Sequence, residues 1–259
     1  MKRILIFAMA LCLAIPSMAG ELSLLPKPKK GSQQWIVIGL RAGVDNTWLM
    51  NKNNFNDKGM KLKPSFGGGG GIMLGIHLSE VVAIEPECVY QIINQKYASK
   101  VDSNAWTSKK SLGYLEFPIL LRFDFESFKY LELGVKFSTL KSATDSYDYK
   151  SLGSGTVPND IQNYSKPNTS LIFGWGTGLW GNGGLMVNFG VRATYGLSDI
   201  ISDIGGKGLD YHPSDGSAKT TYMKTNTATI GFHFNIDFDL GWFMSSSCGR
   251  SHKFVLFGH

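Results

Sequence analysis

The stretch Tyr114–Phe123 alternates between apolar and mostly polar residues. Side chains of a β-strand point to opposite faces in turn, so the stretch predicts a strand with one apolar and one largely polar face. At helical spacing Glu116 and Arg122 would fall among the apolar residues, which argues against an amphipathic helix. The apolar face consists of Leu115, Phe117, Ile119, Leu121 and Phe123. The nature of the protein therefore depends on which face points inward.

The same period of two recurs in seven further segments, which we expect to be strands. They are Trp35–Gly43, Ser65–Leu78, Val81–Tyr97, Lys129–Leu140, Asn168–Trp180, Leu185–Leu197 and Lys224–Trp242. The connections between the eight segments alternate between long and short. The long ones are Asp45–Pro64, Ala98–Lys110, Lys141–Pro167 and Ser198–Tyr222. This alternation is typical of bacterial outer-membrane barrels, which have short periplasmic turns and longer extracellular loops.

Side-chain volume indicates which face points outward. Eight strands enclose a space just wide enough for side chains, and the bulky apolar residues would overfill it. These are Phe117, Phe123, Phe137, Phe173, Trp175, Phe189, Phe232, Phe234 and Phe238. Glycine, with 31 residues, is frequent in the polar phase, where it would help a narrow interior to close. We therefore predict an all-β fold, an eight-stranded antiparallel up-and-down transmembrane β-barrel; a soluble barrel with its apolar phase inside is the alternative.

The polar phase carries ten charged residues, which we predict to lie in the lumen. They are Arg41, Glu85, Glu87, Glu116, Arg122, Glu132, Lys136, Arg192, Asp237 and Asp239. An unpaired buried charge is costly, so most should be paired or hydrated. We interpret them as a structural network that fills and stiffens the barrel. The alternative is that they line a narrow ion path.

Two further features lead to local expectations. Aromatic residues near the strand ends are expected in the interfacial girdles of a membrane barrel. They are Tyr114, Tyr130, Tyr195, Trp180 and Trp242. Pro86 and Pro118 each remove a backbone donor from a strand, so we expect a bulge or a lumenal water at each.

The chain ends suggest export. Lys2 and Arg3 precede the apolar segment Ile4–Ile15, which is followed by Ser17-Met18-Ala19, as in a signal peptide cleaved near Ala19. An uncleaved anchor is the alternative. The predicted division is a signal peptide (1–19), a periplasmic lead (20–34), a barrel (35–242) and a C-terminal tail (243–259). The predicted location is the outer membrane of a Gram-negative cell envelope.

Composition argues against several functions. Loss of Lys2 and Arg3 would lower the net charge from +6 to +4, and the chain shows no basic stripe, so we expect no nucleic-acid partner. Beyond the signal peptide, Cys88 and Cys248 are interpreted as free thiols, with a disulfide as the alternative.

Few residues could carry chemistry. His212, Ser214 and the flanking aspartates of Asp210–Asp215 could form a catalytic cluster, but we interpret the segment as a polar surface loop. Asp145–Asp148 is similarly interpreted as a loop rather than a calcium site. His77 and His233 fall in the lumenal phase without further ligands at metal-binding spacing. We expect no enzymatic activity, no metal and no cofactor.

Two motifs carry a resemblance to a known family. Glu85-Pro86-Glu87-Cys88-Val89-Tyr90 and Tyr114–Arg122 resemble the PorT-like outer-membrane β-barrel family of Bacteroidetes, and the likeness extends over roughly 35–242. The resemblance implies an eight-stranded barrel in the outer membrane; the family's namesake acts in type IX secretion.

Two classes of function follow from this interpretation. The first is a structural or interaction protein that acts through its extracellular loops, with outer-membrane lipid and the barrel-assembly machinery as partners. The second is a component of a type IX-like protein secretion pathway or of a transport pathway, with envelope or secretion-complex proteins as partners.

Overall fold

A computed structural model describes most of the predicted barrel. The described residues are 36–79, 81–100, 106–125, 128–150, 153–158, 160–182, 184–214 and 216–240. The predicted signal peptide, lead and tail therefore lie outside the described residues, as do Trp242, Cys248 and Asp215.

Eight antiparallel strands close into a ring. They are eight of the ten described strands, which are β1 (Ile36–Met50), β2 (Met60–Lys63), β3 (Phe66–His77), β4 (Val82–Ser99), β5 (Trp106–Asp124), β6 (Lys129–Tyr149), β7 (Gly153–Pro158), β8 (Pro167–Asn182), β9 (Leu185–Gly196) and β10 (Asn226–Asp239). Around the ring the order is β4-β3-β1-β10-β9-β8-β6-β5, and pairing of β5 with β4 completes it. The short strands β2 and β7 lie outside the ring, where they pair with β4 and β6. The predicted eight-stranded up-and-down barrel is confirmed.

Two short helical segments lie in the connections between the described strands. One α-helix, α1 (Lys52–Asn56), follows β1, and a 3-10 turn (Asp160–Asn163) precedes β8. Over the described part of the chain, neither these nor any other helical segment is long and apolar enough to cross a membrane.

The two ends of the barrel differ. At one end, which we call the turn end, short connections join β3 to β4, β5 to β6 and β8 to β9. The other end, the loop end, carries loop 1 (51–65), loop 2 (100–105), loop 3 (150–166) and loop 4 (197–225). Loop 2 is shorter than predicted, because β4 and β5 continue as a paired hairpin to Ala98 and Thr107. Strand β6 likewise continues to Tyr149 and is met by β7.

The outer surface of the ring is apolar. Within Tyr114–Phe123, Phe117, Ile119 and Leu121 are 45–48% exposed, whereas Glu116 is 4% exposed. The other strands show the same polarity, with large apolar side chains outside. This inside-out arrangement is that of a transmembrane β-barrel.

Glycines allow two strands of the ring to come close together. A Cβ atom on Gly67 or Gly71 of β3 would lie 1.9 or 2.0 Å from a carbonyl oxygen of β4. No side chain fits at such a distance, so this part of the glycine run is required by strand packing.

The expected interfacial position was wrong for two of the tyrosines, and the expected bulge is absent at both prolines, where a lumenal water stays a prediction. Tyr114 and Tyr130 are fully buried in the interior, because each shares the inward phase of its strand with a glutamate; Tyr195 and Trp180 do face outward. The register between β4 and β5 is also the same on both sides of Pro86 and Pro118, so neither proline forms a bulge. Pairs are simply missing next to Pro118, where the backbone donor is absent. The register shifts instead between Gly113 and Tyr114 and between Gly178 and Trp180.

Candidate functional site

Glu87 lies at the centre of the interior and joins two arginines from opposite ends of the chain. It accepts a hydrogen bond from Arg41 of β1, and Arg192 of β9 donates to its two oxygens at 3.0 and 3.2 Å. Arg192 also donates to Glu132 of β6, from Nη2 at 2.6 Å and from Nε at 3.0 Å. Four strands are thereby connected across the lumen.

A second ion pair lies between neighbouring strands. Lys136 of β6 donates to both carboxylate oxygens of Glu116 of β5, at 2.8 and 2.9 Å. Both side chains are buried. This pair therefore leaves neither charge unmatched.

A third group lies towards the turn end. Arg122 donates to Glu85 at 3.2 Å and to Asp124 at 2.7 Å, and its guanidinium lies 4.0 Å from the centre of the Tyr130 ring. Asp237 accepts a hydrogen bond from Asn188 at 2.5 Å. Arg122 thus makes both ionic and cation–π contacts in one buried place.

The structure places all ten predicted lumenal charges inside the barrel, where each is at most 8% exposed. All four cations have an anionic partner within the ring. The sequence predicted which residues face inward, and the structure adds which of them pair. Together they form what we call the charge network.

The cavities found beside the charge network are small. Two cavities of about 50 and 30 Å³ border the charge network, one beside Arg41, Glu87 and Lys136 and the other beside Glu85 and Arg122. Spaces of this size suit a few water molecules, whereas small-molecule sites usually measure about 300 Å³ or more. Within the described chain, both amide atoms of Asn235 and Nδ1 of His233 have no protein hydrogen-bond partner. The interior is therefore suited to hydration rather than to binding a substrate.

A hydrophobic cluster lies in the interior towards the loop end, and the sequence analysis missed it. Strand residues and two loop residues pack together there: Leu49, Ile93, Leu112, Tyr114, Leu140, Ala143, Tyr164 and Ile200. Tyr164 comes from loop 3 and Ile200 from loop 4, and Ile161 and Ile201 pack against the cluster. We call these residues the apolar cap. The sequence does contain a signal for it: on the strands, the inward positions that lie closer to the loop end than the charged residues are occupied by apolar residues.

Hydrogen bonds hold the loops over this cap. Asp57 of loop 1 accepts from the Tyr211 hydroxyl and from the backbone and hydroxyl of Ser214, each at 2.8 Å, and from the Gly59 backbone. Burial alone would raise the pKa of Asp57, but these hydrogen bonds outweigh it and lower the pKa below its ordinary value. Asn51 also donates to Thr225 of loop 4 at 2.8 Å. Loops 1 and 4 therefore form one ordered unit.

The remaining candidates for chemistry have other contacts. The Ser214 hydroxyl donates to Asp57, and Asp210 lies 3.8 Å from Lys219 on the surface. Asp145 binds Lys110 and the Tyr164 hydroxyl. Among the described residues, no group of three or more histidine, cysteine or acidic side chains could hold a metal ion. Cys88, half-exposed on the outer surface, is a free cysteine.

Comparisons with known proteins find likeness only in structure. No protein-family model and no curated protein matches the chain. The outer membrane protein AlkL in lipid bilayers has 13% identity and a TM-score of 0.40, with 83% of this chain and 96% of AlkL covered. Neisserial surface protein A has 10% identity and a TM-score of 0.36, with coverage of 80% and 99%. The outer membrane protein OprG from Pseudomonas aeruginosa has 18% identity and a TM-score of 0.35, with coverage of 77% and 94%.

Proposed function

We propose that the protein is an outer-membrane β-barrel with a filled, non-conducting lumen that acts as an interaction protein through its loop end. One observation carries the proposal: the charge network and the apolar cap both occupy the interior, and the two cavities beside the network measure only about 50 and 30 Å³. A barrel without room for a solute can present a surface to partners, but it cannot transport material through itself.

The proposed location rests on the polarity of the ring. Large apolar side chains face outward on all eight strands, and closure of the ring leaves no unpaired strand edge within the ring itself. Both are requirements for a β-structure in lipid. The predicted signal peptide supports export, and the expected partners are outer-membrane lipid and the barrel-assembly machinery.

Fractionation of cells and the mobility of the protein on gels test the location. The protein should sediment with the outer membrane, and an unheated sample should migrate differently from a boiled one, because a closed barrel resists detergent. A soluble product whose mobility does not change on heating would contradict the proposed barrel in the membrane.

Conductance tests the filled lumen. Purified protein in a planar lipid bilayer should give no steady current, with a wide porin as the positive control. Each cation of the charge network is held by a buried carboxylate, so a change of salt should not open a path. A steady open state of nanosiemens size would contradict the proposal.

Crosslinking in living cells tests the interaction role. A photoreactive residue at Ile204 or Leu209, which are 74% and 68% exposed in loop 4, should crosslink to envelope proteins. The matched control is the same residue at Ile119, which faces outward from β5 and should capture lipid. Equal protein capture at both places would show that the loop end has no special role.

A role in secretion is the second candidate. We propose, from the two motifs named above, that the chain is a PorT-like barrel of Bacteroidetes. Support comes from motif residues whose side chains point inward and are buried in the adjacent strands β4 and β5. They are Glu85, Glu87, Tyr114, Glu116 and Arg122. Deletion of the gene should then change the secreted proteins, and an unchanged set would exclude this role.

A further inference from the structure

Three lysines form a row across adjacent strands on the outside of the protein. Lys63 of β2 lies opposite Lys96 of β4, and Lys96 lies opposite Lys109 of β5. All three are exposed. Residues directly opposite each other in antiparallel strands have Cβ atoms about 4.5–5.5 Å apart, and like charges at such positions are destabilising. We call these residues the lysine row.

The lysine row differs from the cations around it. Lys110, the next residue of β5, binds Asp145, and each cation of the charge network has a carboxylate partner. Every ion pair between described residues involves cations other than Lys63, Lys96 and Lys109. Repulsion within the row is therefore not offset by a described carboxylate.

The row lies just beyond the apolar outer surface. Ile92, on the same face of β4 as Lys96, is 40% exposed, and Phe66, three residues after Lys63, is 62% exposed. Lys96 is four residues beyond Ile92, which is about 13 Å along the strand at about 3.3 Å per residue. A lysine side chain can lie along an apolar surface while its ammonium group stays in the polar zone. The row is thus placed where lipid headgroups of the outer leaflet would meet the protein.

We propose that Lys63, Lys96 and Lys109 bind the phosphate groups of a phosphorylated lipid in the outer leaflet of the membrane. This inference rests on the proposed outer-membrane location. Three closely spaced ammonium groups match a headgroup with more than one phosphate, and an anion between them offsets their mutual repulsion. The apolar surface below the row accommodates the acyl chains of the same molecule.

Lipid titration of the purified, folded protein in detergent tests the proposal. The probe is a bisphosphorylated glucosamine-disaccharide lipid, and retention is measured by native mass spectrometry. The comparison lipid has the same acyl chains without phosphates. We expect wild-type protein to retain the phosphorylated lipid in preference to the lipid without phosphates. The variant K63S/K96S/K109S should lose affinity by roughly a hundredfold, since each lysine near an anionic lipid surface contributes roughly fivefold to the affinity.

Matched variants distinguish binding at the lysine row from nonspecific attraction of the lipid to positive charge elsewhere on the protein. K150S/K166S/K207S removes three exposed lysines of loops 3 and 4 and should bind as wild type does. K63R/K96R/K109R keeps the charges and should retain binding. If the triple serine variant does not fold, K96S alone should reduce affinity by roughly fivefold. Gel mobility before and after heating verifies the fold of each variant.

Three results would overturn the proposal. They are unchanged affinity in the folded serine variants, equal retention of the lipid without phosphates, and equal binding of inorganic pyrophosphate at the same concentration. The last result would assign the row to soluble anions. Because cell fractionation reports location without reference to this lipid, failure of the proposed location can be distinguished from failure of the lysine row.

Discussion

The charge network and the apolar cap fill the same barrel in different ways. In the network, Glu87, Arg41 and Arg192 are held by ionic hydrogen bonds between side chains of distant strands. In the cap, Leu112 and its neighbours pack by shape, and loop residues such as Ile200 complete the packing. The ring of strands is continuous through both regions, so the difference arises from the inward side chains and from the loop residues that pack among them.

This difference shows two ways of closing a narrow interior. A charge network tolerates hydration and small cavities, but removal of one partner leaves a buried charge uncompensated. An apolar cap loses stability in proportion to the volume removed, and it does not need a specific partner. The two regions should therefore respond differently to substitutions of similar size.

The largest effect is expected from Glu87→Gln. This change leaves Arg41 and Arg192 without their shared carboxylate, and breaking a buried ion pair costs about 3–5 kcal/mol. Unfolding by urea in lipid vesicles, followed by gel mobility, measures the loss in the free energy of unfolding. The double variant E116L/K136M removes both members of an ion pair and should cost much less. An equal cost for the two variants would show that an uncompensated buried charge does not determine the loss of stability.

Leu112→Ala probes the apolar cap. Leu112 is fully buried, and the cavity left by such a change costs about 2–5 kcal/mol. The same urea titration measures it. Leu209→Ala in loop 4, where the leucine is 68% exposed, is the matched control and should change stability by no more than about 0.5 kcal/mol. A cost for Leu112→Ala as small as that of the control would mean that the cap does not contribute to stability.

Asp57→Asn should loosen the loops without unfolding the ring. Hydrogen bonds to a charged group contribute about 1.5–3 kcal/mol each, so cleavage of loop 4 by added protease should increase by about tenfold or more. Asp210→Asn, on the exposed surface beside Lys219, is the control and should leave the cleavage rate unchanged.

The same carboxylate predicts a dependence on pH. Because the folded protein lowers the pKa of Asp57 below 3.8, its stabilising effect is present above that pH and is lost as the pH falls below it. Cleavage of loop 4 by an acid-active protease should therefore increase below about pH 4 in the wild type. It should increase less in Asp57→Asn. Parallel pH profiles for the two proteins would contradict this assignment.

The smallest effects are expected from two tyrosine hydroxyls. Tyr130 contacts Nε2 of buried His233 at 3.2 Å, so Tyr130→Phe leaves a buried polar atom unmatched and should cost about 1–3 kcal/mol. Tyr222 donates to Asp199 at 2.5 Å in loop 4, where water can replace it, so Tyr222→Phe should cost about 1 kcal/mol or less. The urea concentrations at the unfolding midpoints of Tyr130→Phe and Tyr222→Phe rank the two costs. A larger cost for Tyr222→Phe would show that burial does not determine the contribution of these hydroxyl groups.

The sequence predicted the fold because alternation is a local property. In Tyr114–Phe123 the parity of each residue determines its face, and the volume of the apolar phase determines which face is outside. The same parity would have placed Tyr114 and Tyr130 inside, but their position near strand ends favoured the interfacial girdles. The alternation along the strand was the stronger signal, because a shift of the strand by one residue would place the Glu116 carboxylate in lipid.

The apolar cap and the ion-pair partners could not be predicted in the same way. Leu49, Ile93 and Leu112 interrupt the polar phase, so locally they resemble an imperfect pattern. Tyr164 and Ile200 lie in loops without periodicity. The contacts of Glu87 with β1 and β9 depend on how the whole ring closes, which no local stretch specifies.

The position of Glu87 also bears on how the chain is assembled. Its two arginine partners lie in β1 and β9, and β1 pairs with β10, so the network is complete only when nearly the whole chain has joined the ring. A chain truncated before β9 keeps Glu87 and Glu132 but lacks Arg192, which donates to both carboxylates. The carboxylates of Glu87 and Glu132 therefore gain their shared partner Arg192 only after β9 has joined the ring.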